Sequence, residues 1–268
     1  MFGKLLKYDF KALLKTHVGM YIFLIVTGIL IMITELVNKA NPGNVFSSIF
    51  KPVLTALYVI GIIVVITATF IFCMLRYRKN VLKDEGYLTH TLPVTGIQIH
   101  LSKLVVSAIY FYITLIVIYL VTALAFLDIG WGADIYNQVD LSLAAEGLNN
   151  FMDWMIVIII LSPVTSYGSI FASLCMGYKM SGNRDVWSFV MYILFYAANQ
   201  ALSFILLVIA GAVQYGNVFT AAIYTVNSEV PLNFVKTIMV GAIAISLVMA
   251  VLYNIISVWV LDKKLNLE

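Results

Sequence analysis

Apolar residues run through the chain in six long blocks, at about 18–37, 53–75, 101–127, 154–178, 186–213 and 234–261, with polar intervals between them. A helix needs about 20 apolar residues to cross a hydrocarbon core about 30 Å thick, and each block is long enough. None of the blocks alternates apolar and polar residues as barrel strands do. Backbone groups in lipid must also find their hydrogen bonds within the segment, so the pattern predicts helices. Six spans place both termini on the same side.

Residues 2–16 carry a different pattern. At about 100° per residue, Lys4, Lys7, Lys11 and Lys15 share one face, with Phe2, Leu6, Phe10 and Leu13 opposite. This predicts an amphipathic helix at the membrane interface, its aromatic face in the acyl boundary and its lysines near anionic headgroups. Asp9 breaks the pattern, since the wheel places it between Leu5 and Leu13. Either it pairs locally near Lys11 and Lys15, or it pairs with Arg76 or Arg78 and fixes the helix to the bundle. The run of lysines and the long apolar block after it do not read as a cleavable signal.

The longest charged interruption is 76–103, RYRKNVLKDEGYLTHTLPVTGIQIHLSK. Thr95 with Gln98 three residues on has capping-box spacing, and Pro93 argues against one unbroken helix through Leu92. The stretch is therefore predicted to be an extension of the second span, a short helix near 85–91, a turn, and the third span. Read blandly, it is a solvated loop.

Composition settles the solvent. Hydrophobic residues make up 62% of the chain and charged residues 11%, against about 45–50% and about 25% in soluble domains. Mean hydropathy is +1.00. The expected class is an all-α polytopic membrane protein: one transmembrane domain, 1–268, with six transmembrane helices and an N-terminal interfacial amphipathic helix. Of the 16 cations, 13 (Lys4, Lys7, Lys11, Lys15, Arg76, Arg78, Lys79, Lys83, Lys103, Lys179, Arg184, Lys263 and Lys264) fall on one side of that topology. The positive-inside rule puts this side, with both termini, in the cytoplasm. The connection 128–153 has no Lys or Arg but carries Asp128, Asp134, Asp140, Glu146 and Asp153. It reads as a solvated outer loop or, alternatively, as an attractor for cations.

Candidate chemistry within the spans is sparse. Thr27, Gly28, Thr34, Gly61, Thr67 and Thr69 read as helix–helix contacts. In the fourth span Ser162, Ser166, Ser169 and Ser173 recur at three- and four-residue steps near Thr165 and Gly168, and Pro163 is expected to kink the helix. This serine face either packs against a neighbour or lines a translocation path. Asn199 and Gln200, mid-span in the fifth helix, pose the same choice, as does Asn254 in the sixth. Cys73 and Cys175 lie in apolar runs as small hydrophobes. His17, His90 and His100 have no second ligand at i+4, so no metal site is expected. The sequence contains no phosphate-binding GxxxxGK[ST] loop and no catalytic dyad. It also lacks intramembrane charges suited to an ion relay, so energy for transport would have to come from another chain.

The 76–103 stretch resembles the cytoplasmic connection of type-2 ATP-binding-cassette export permeases. The resemblance rests on Glu85-Gly86, Leu92-Pro93-Val94-Thr95 and Leu101-Ser102-Lys103, with Leu5–Lys11 similar to the start of small permeases of the group. One departure is that Gly86 follows Glu85 directly, where common members have Arg-Gly-Thr, and Tyr87 stands in place of the threonine. The resemblance implies a permease subunit in a bacterial plasma membrane, paired with a second permease chain, identical or related. Two separate ATPase subunits would dock beneath it at Asp84, Glu85, Gly86, Tyr87, Leu92 and Pro93. It implies no cofactor in this chain, with ATP and magnesium in the ATPases, no catalysis by the chain and no nucleic-acid partner. The substrate class would be an antimicrobial peptide, a drug or a lipid. The competing classes are a membrane-embedded binding subunit or carrier of an uptake system and, less favoured by the residues, a membrane protease.

Overall fold

The computed structural model describes residues 2–41, 45–83, 86, 94–127, 130–145, 151–215 and 232–263. Among them there are helices and no strand. Six helices are long and apolar enough to cross a membrane. They are α1 (Phe2–Ala40), α2 (Val45–Tyr77), α3 (Gly96–Phe126), α5 (Phe151–Lys179), α6 (Arg184–Tyr215) and α7 (Leu232–Lys263). A shorter helix, α4 (Trp131–Ala145), lies between α3 and α5. The helices pack as two units, Met1–Ile135 and Tyr136–Glu268.

In the first unit α1 packs along both α2 and α3. Its core gathers Leu24, Ile31, Tyr58, Val65, Val121 and Ala125. Lipid gives helices no hydrophobic reason to associate, so close packing and interhelical hydrogen bonds must hold them. Tyr58 Oη lies 2.8 Å from Thr122 Oγ1, and Tyr21 Oη lies 2.8 Å from Thr114 Oγ1. Gly28 abuts Val121 so closely that any side chain there would collide with it. Thr27, Thr34 and Thr69 are buried as expected of contact residues, whereas Thr67 is exposed and bonds back to the Ile63 carbonyl of its own helix.

Residues 2–16 and the first span form one helix of 39 residues, about 58 Å long at ~1.5 Å rise per residue. No proline interrupts it. The predicted amphipathicity is present: Lys4, Lys7, Lys11 and Lys15 are exposed while Asp9, Leu13 and His17 are buried. That buried face packs on α2 and α3. Near its other end, Glu35 Oε2 lies 2.5 Å from Lys51 Nζ, an ion pair by distance though outside hydrogen-bond geometry. Asp9 and Glu35 are about 39 Å apart along α1, close to a hydrocarbon core with its headgroup margins.

In the second unit α5 packs on α6 and α7, and α6 on α7. Met249 and Tyr253 of α7 meet Ala172 of α5, with Phe195 alongside at a ring separation of 5.2 Å from Tyr253. Pro163 does not end α5. A proline removes the amide that would bond the carbonyl four residues back, here Ile159, and Ser162 Oγ donates to that carbonyl at 2.8 Å. The hairpin between α5 and α6 turns at Gly182, whose φ of 106° suits glycine. Asn183 then caps α6, its Oδ1 accepting from Asp185 N at 3.2 Å and Val186 N at 3.4 Å.

The connection 128–153, predicted as a loop, contains α4. Low hydropathy and several acids hid this helix. Asp128 and Glu146 lie outside the described residues. Tyr136 Oη donates to Asp153 Oδ1 at 2.7 Å, and this bond is the main reason its phenol titrates above the usual tyrosine value.

At Gly177 a side chain would run into the backbone and side chain of Ser188, so the α5–α6 approach depends on that glycine. Gly177→Leu is expected to destabilise the protein by about 1–3 kcal/mol through overpacking, measured as a lowered midpoint of thermal unfolding in detergent. Leu at the exposed position Gly3, which meets nothing within 4 Å, is expected to leave the midpoint unchanged.

Candidate coupling site

The helices of the first unit bring one carboxylate to both ends of the 76–103 stretch. Asp9 of α1 is 3% exposed. Its Oδ1 accepts from Arg76 Nη2 of α2 at 3.1 Å and from Lys103 Nζ of α3 at 2.5 Å. Lys103 is itself 6% exposed. Arg76 opens the stretch and Lys103 closes it, so a single oxygen atom fastens both ends to α1. Of the two pairings open for Asp9, the structure has the long-range one, with Arg76. Lys103 is the partner that the sequence reading missed. A cation inside an apolar block needs an opposite charge within reach, but residue order alone does not name the partner. Among the described residues no bond joins Arg78 to Asp9; the Arg78 backbone carbonyl accepts from Lys83 N at 3.0 Å.

Around this cluster the sequence builds a buried polar layer. Tyr110 of α3 donates to the Phe10 carbonyl at 2.6 Å and its ring lies 4.9 Å from that of Phe10. His17 takes the next turn of α1, with Nδ1 2.8 Å from the Leu13 carbonyl and its ring 4.5 Å from Tyr110. Tyr77 Oη and His100 Nδ1, 3.1 Å apart, join α2 to α3. Asp9, Leu13, Cys73, Tyr77, Lys103 and Ser107 are among the residues around a cavity of about 10 Å³, and Asp9 Oδ2 has no hydrogen bond among the described residues.

Helix α2 does not stop at Tyr77. It widens into a π-helical turn over Arg78–Leu82, closed by the Lys83 N–H bond to the Arg78 carbonyl. Asn80, Val81 and Leu82 are buried. Such single π turns are rare and often mark functional sites. Gly86 is buried and its N–H donates to the Lys83 carbonyl at 2.6 Å. Asp84, Glu85, Tyr87, Leu92 and Pro93 lie outside the described residues, as does His90. Within the stretch, α3 begins at the predicted capping box. Thr95 Oγ1 accepts from Gln98 N at 3.4 Å, and Gln98 Oε1 accepts from Thr95 N at 3.4 Å.

The second set of candidates divides. Ser162, Ser169 and Ser173 each donate to a carbonyl three residues back, at 2.8, 2.9 and 2.7 Å. Ser173 is buried and the other three serines are half-buried. Gln200 is exposed on α6 and donates to Tyr196 Oη at 3.1 Å. Asn199 comes together with Thr165, not with the serine face, at a cavity within the second unit. Among the described residues no three His, Cys, Asp or Glu side chains gather as a metal site.

No family model, curated protein or solved structure matches this chain. The fold defines its class as an all-α membrane protein with six potential spans.

Removing one partner of a buried ion cluster strands the remaining charges, at a cost of about 3–5 kcal/mol. Asp9→Ala is expected to lose stability on that scale in thermal unfolding. A triple variant, Asp9→Leu with Arg76→Met and Lys103→Met, is expected to recover most of the loss, because apolar replacement of a whole buried cluster is often neutral.

Proposed function

We propose that the chain is the permease subunit of an ATP-driven exporter in a bacterial plasma membrane, and that segment 76–103 receives force from separate ATPase subunits. The observation that carries this reading is the shared carboxylate: Asp9 Oδ1 bonds the residues that open and close the segment. A push on a segment tied at both ends moves α1, α2 and α3 together, whereas a solvated loop would absorb it. The Glu85-Gly86 and Leu92-Pro93 steps between these ties carry the resemblance to type-2 export permeases. In this account Asp84, Glu85, Gly86, Tyr87, Leu92 and Pro93 contact the ATPase, while ATP and magnesium bind there and not here. ATP shifts the balance between two arrangements of the helices to the extent that the closed ATPase pair binds one of them better.

The exposure of α6 supports a second permease chain. Tyr192, Tyr196 and Gln200 share one face of the helix and are exposed. Amides and hydroxyls within hydrocarbon need polar neighbours, and a facing chain or a wetted path between two chains provides them. The other candidate, a binding subunit or carrier of an uptake system, draws on the cavity in the second unit. Co-purification separates the two: the exporter reading requires an ATPase bound through 76–103.

Co-expression with its ATPase in vesicles provides the functional test. Glu85→Ala is expected to leave membrane levels and basal ATP hydrolysis in place while lowering ATP-driven export at least tenfold. Export at the unmodified rate in that variant would remove the role given to the segment.

A further inference from the structure

The second unit holds a partly open cavity of about 450 Å³ among α5, α6 and α7. Small-molecule sites commonly occupy about 300–1,000 Å³, with mostly apolar walls and a few polar groups that fix orientation. This cavity has both features. Its walls are chiefly Leu, Ile, Ala and Met side chains, and its polar positions are Thr165, Asn199, Ser203, Ser246 and Tyr253. Thr165, Asn199 and Ser246 each sit close to the middle of their helices, at hydrocarbon depth.

The hydrogen bonds separate groups already engaged from groups still available. Thr165 Oγ1 spends its hydrogen on the carbonyls of Ser162, at 2.9 Å, and Leu161, at 3.3 Å. Tyr253 Oη reaches the Phe195 carbonyl at 3.4 Å and also engages the Asn199 side chain. One such bond leaves an amide with further donor and acceptor capacity. Ser203 and Ser246 behave unlike the serines at 162, 169 and 173, which bond back to their own helix. Among the described residues the Ser203 and Ser246 hydroxyls make no hydrogen bond, although an intrahelical carbonyl is the default partner of a membrane serine. Asn199, Ser203 and Ser246 therefore present unused polar groups to one apolar space. Among the described residues no Asp, Glu, Lys, Arg or His lines the space, so an ionised ligand would find no opposite charge among them.

We propose that this cavity is a binding site for an uncharged amphiphile, its hydroxyl or carbonyl end on Asn199, Ser203 and Ser246 and its apolar body along the aliphatic wall. The site stands apart from the permease reading and does not depend on it. The same chemistry could come from a bilayer lipid or from a solute, and the two sources can be separated. The full chain in vesicles would be exposed to a diazirine-bearing diacylglycerol in the bilayer, or to a diazirine-bearing decanol added from water. A diazirine-bearing phosphatidic acid with the same acyl chains supplies the charged comparison.

Cross-linked peptides mapped by mass spectrometry are expected to include those bearing the lining residues of α5, α6 and α7 with the diacylglycerol, the decanol or both, which identifies the source. Phosphatidic acid is expected to label them at least fivefold less than the best neutral probe. Ala242→Trp, which fills the cavity, is expected to lower neutral-probe labelling at least fivefold. Ser246→Leu is the milder variant, keeping the fold while removing a polar contact, and is expected to lower it at least threefold. Equal labelling by the phosphatidic acid, indifference to both substitutions, or no labelling of the cavity by either neutral probe overturns the proposal.

Discussion

The first unit depends on a buried ion cluster. One carboxylate, Asp9, is withdrawn from water and held by a guanidinium and an ammonium on two other helices. An isolated ion at such a site would be prohibitively costly, so the three groups hold one another in place. Directionality follows from the same requirement. Apolar contacts in lipid let helices slide and rotate at little cost, whereas a hydrogen-bonded ion cluster fixes the rotation of α1 and its height against α2 and α3. The Tyr110–Phe10 bond and the Tyr77–His100 contact continue that registry on either side of the cluster.

The consequence for mechanism lies in where the cluster sits. Its cations are the first and last residues of the 76–103 stretch, and a π-helical turn, Arg78–Leu82, follows α2. The cluster joins three helices at a single node. The second unit lacks a comparable node among its described residues. It is held by close approach at Gly177, by aromatic contact between Tyr253 and Phe195, and by serines and threonines that satisfy their own helices. That looser polar arrangement is also where unused hydroxyl and amide groups surround a cavity.

Much of this was legible from residue order, for physical reasons. The spans follow from the length of apolar runs, and the start of α3 from the Thr95–Gln98 spacing, because both signals are local. Asp9 stood out as a carboxylate on an apolar face, and one of its two open pairings was with Arg76. Lys103 as the second partner was not legible, since 94 residues separate it from Asp9 and only the fold brings them together. The interfacial segment and the first span form one helix because nothing in the backbone between them stops it; an amphipathic pattern cannot say whether its apolar face meets lipid or protein. Helix α4 was hidden by polarity. The serine face drew notice through its spacing, while the cavity formed at Asn199, which drew notice as a mid-span amide, together with Ser203 and Ser246, which lie on two helices and carried no signal of their own.

Energetic coupling between Asp9 and Lys103 ties the end of the segment to α1. A charge-exchange cycle tests it most directly, comparing Asp9→Lys, Lys103→Asp and the double exchange by thermal unfolding of the full chain. Direct coupling predicts that each single reversal destabilises the protein and that the exchange restores stability, with an interaction energy of at least about 1 kcal/mol. Losses that simply add, with no recovery in the double variant, would contradict it.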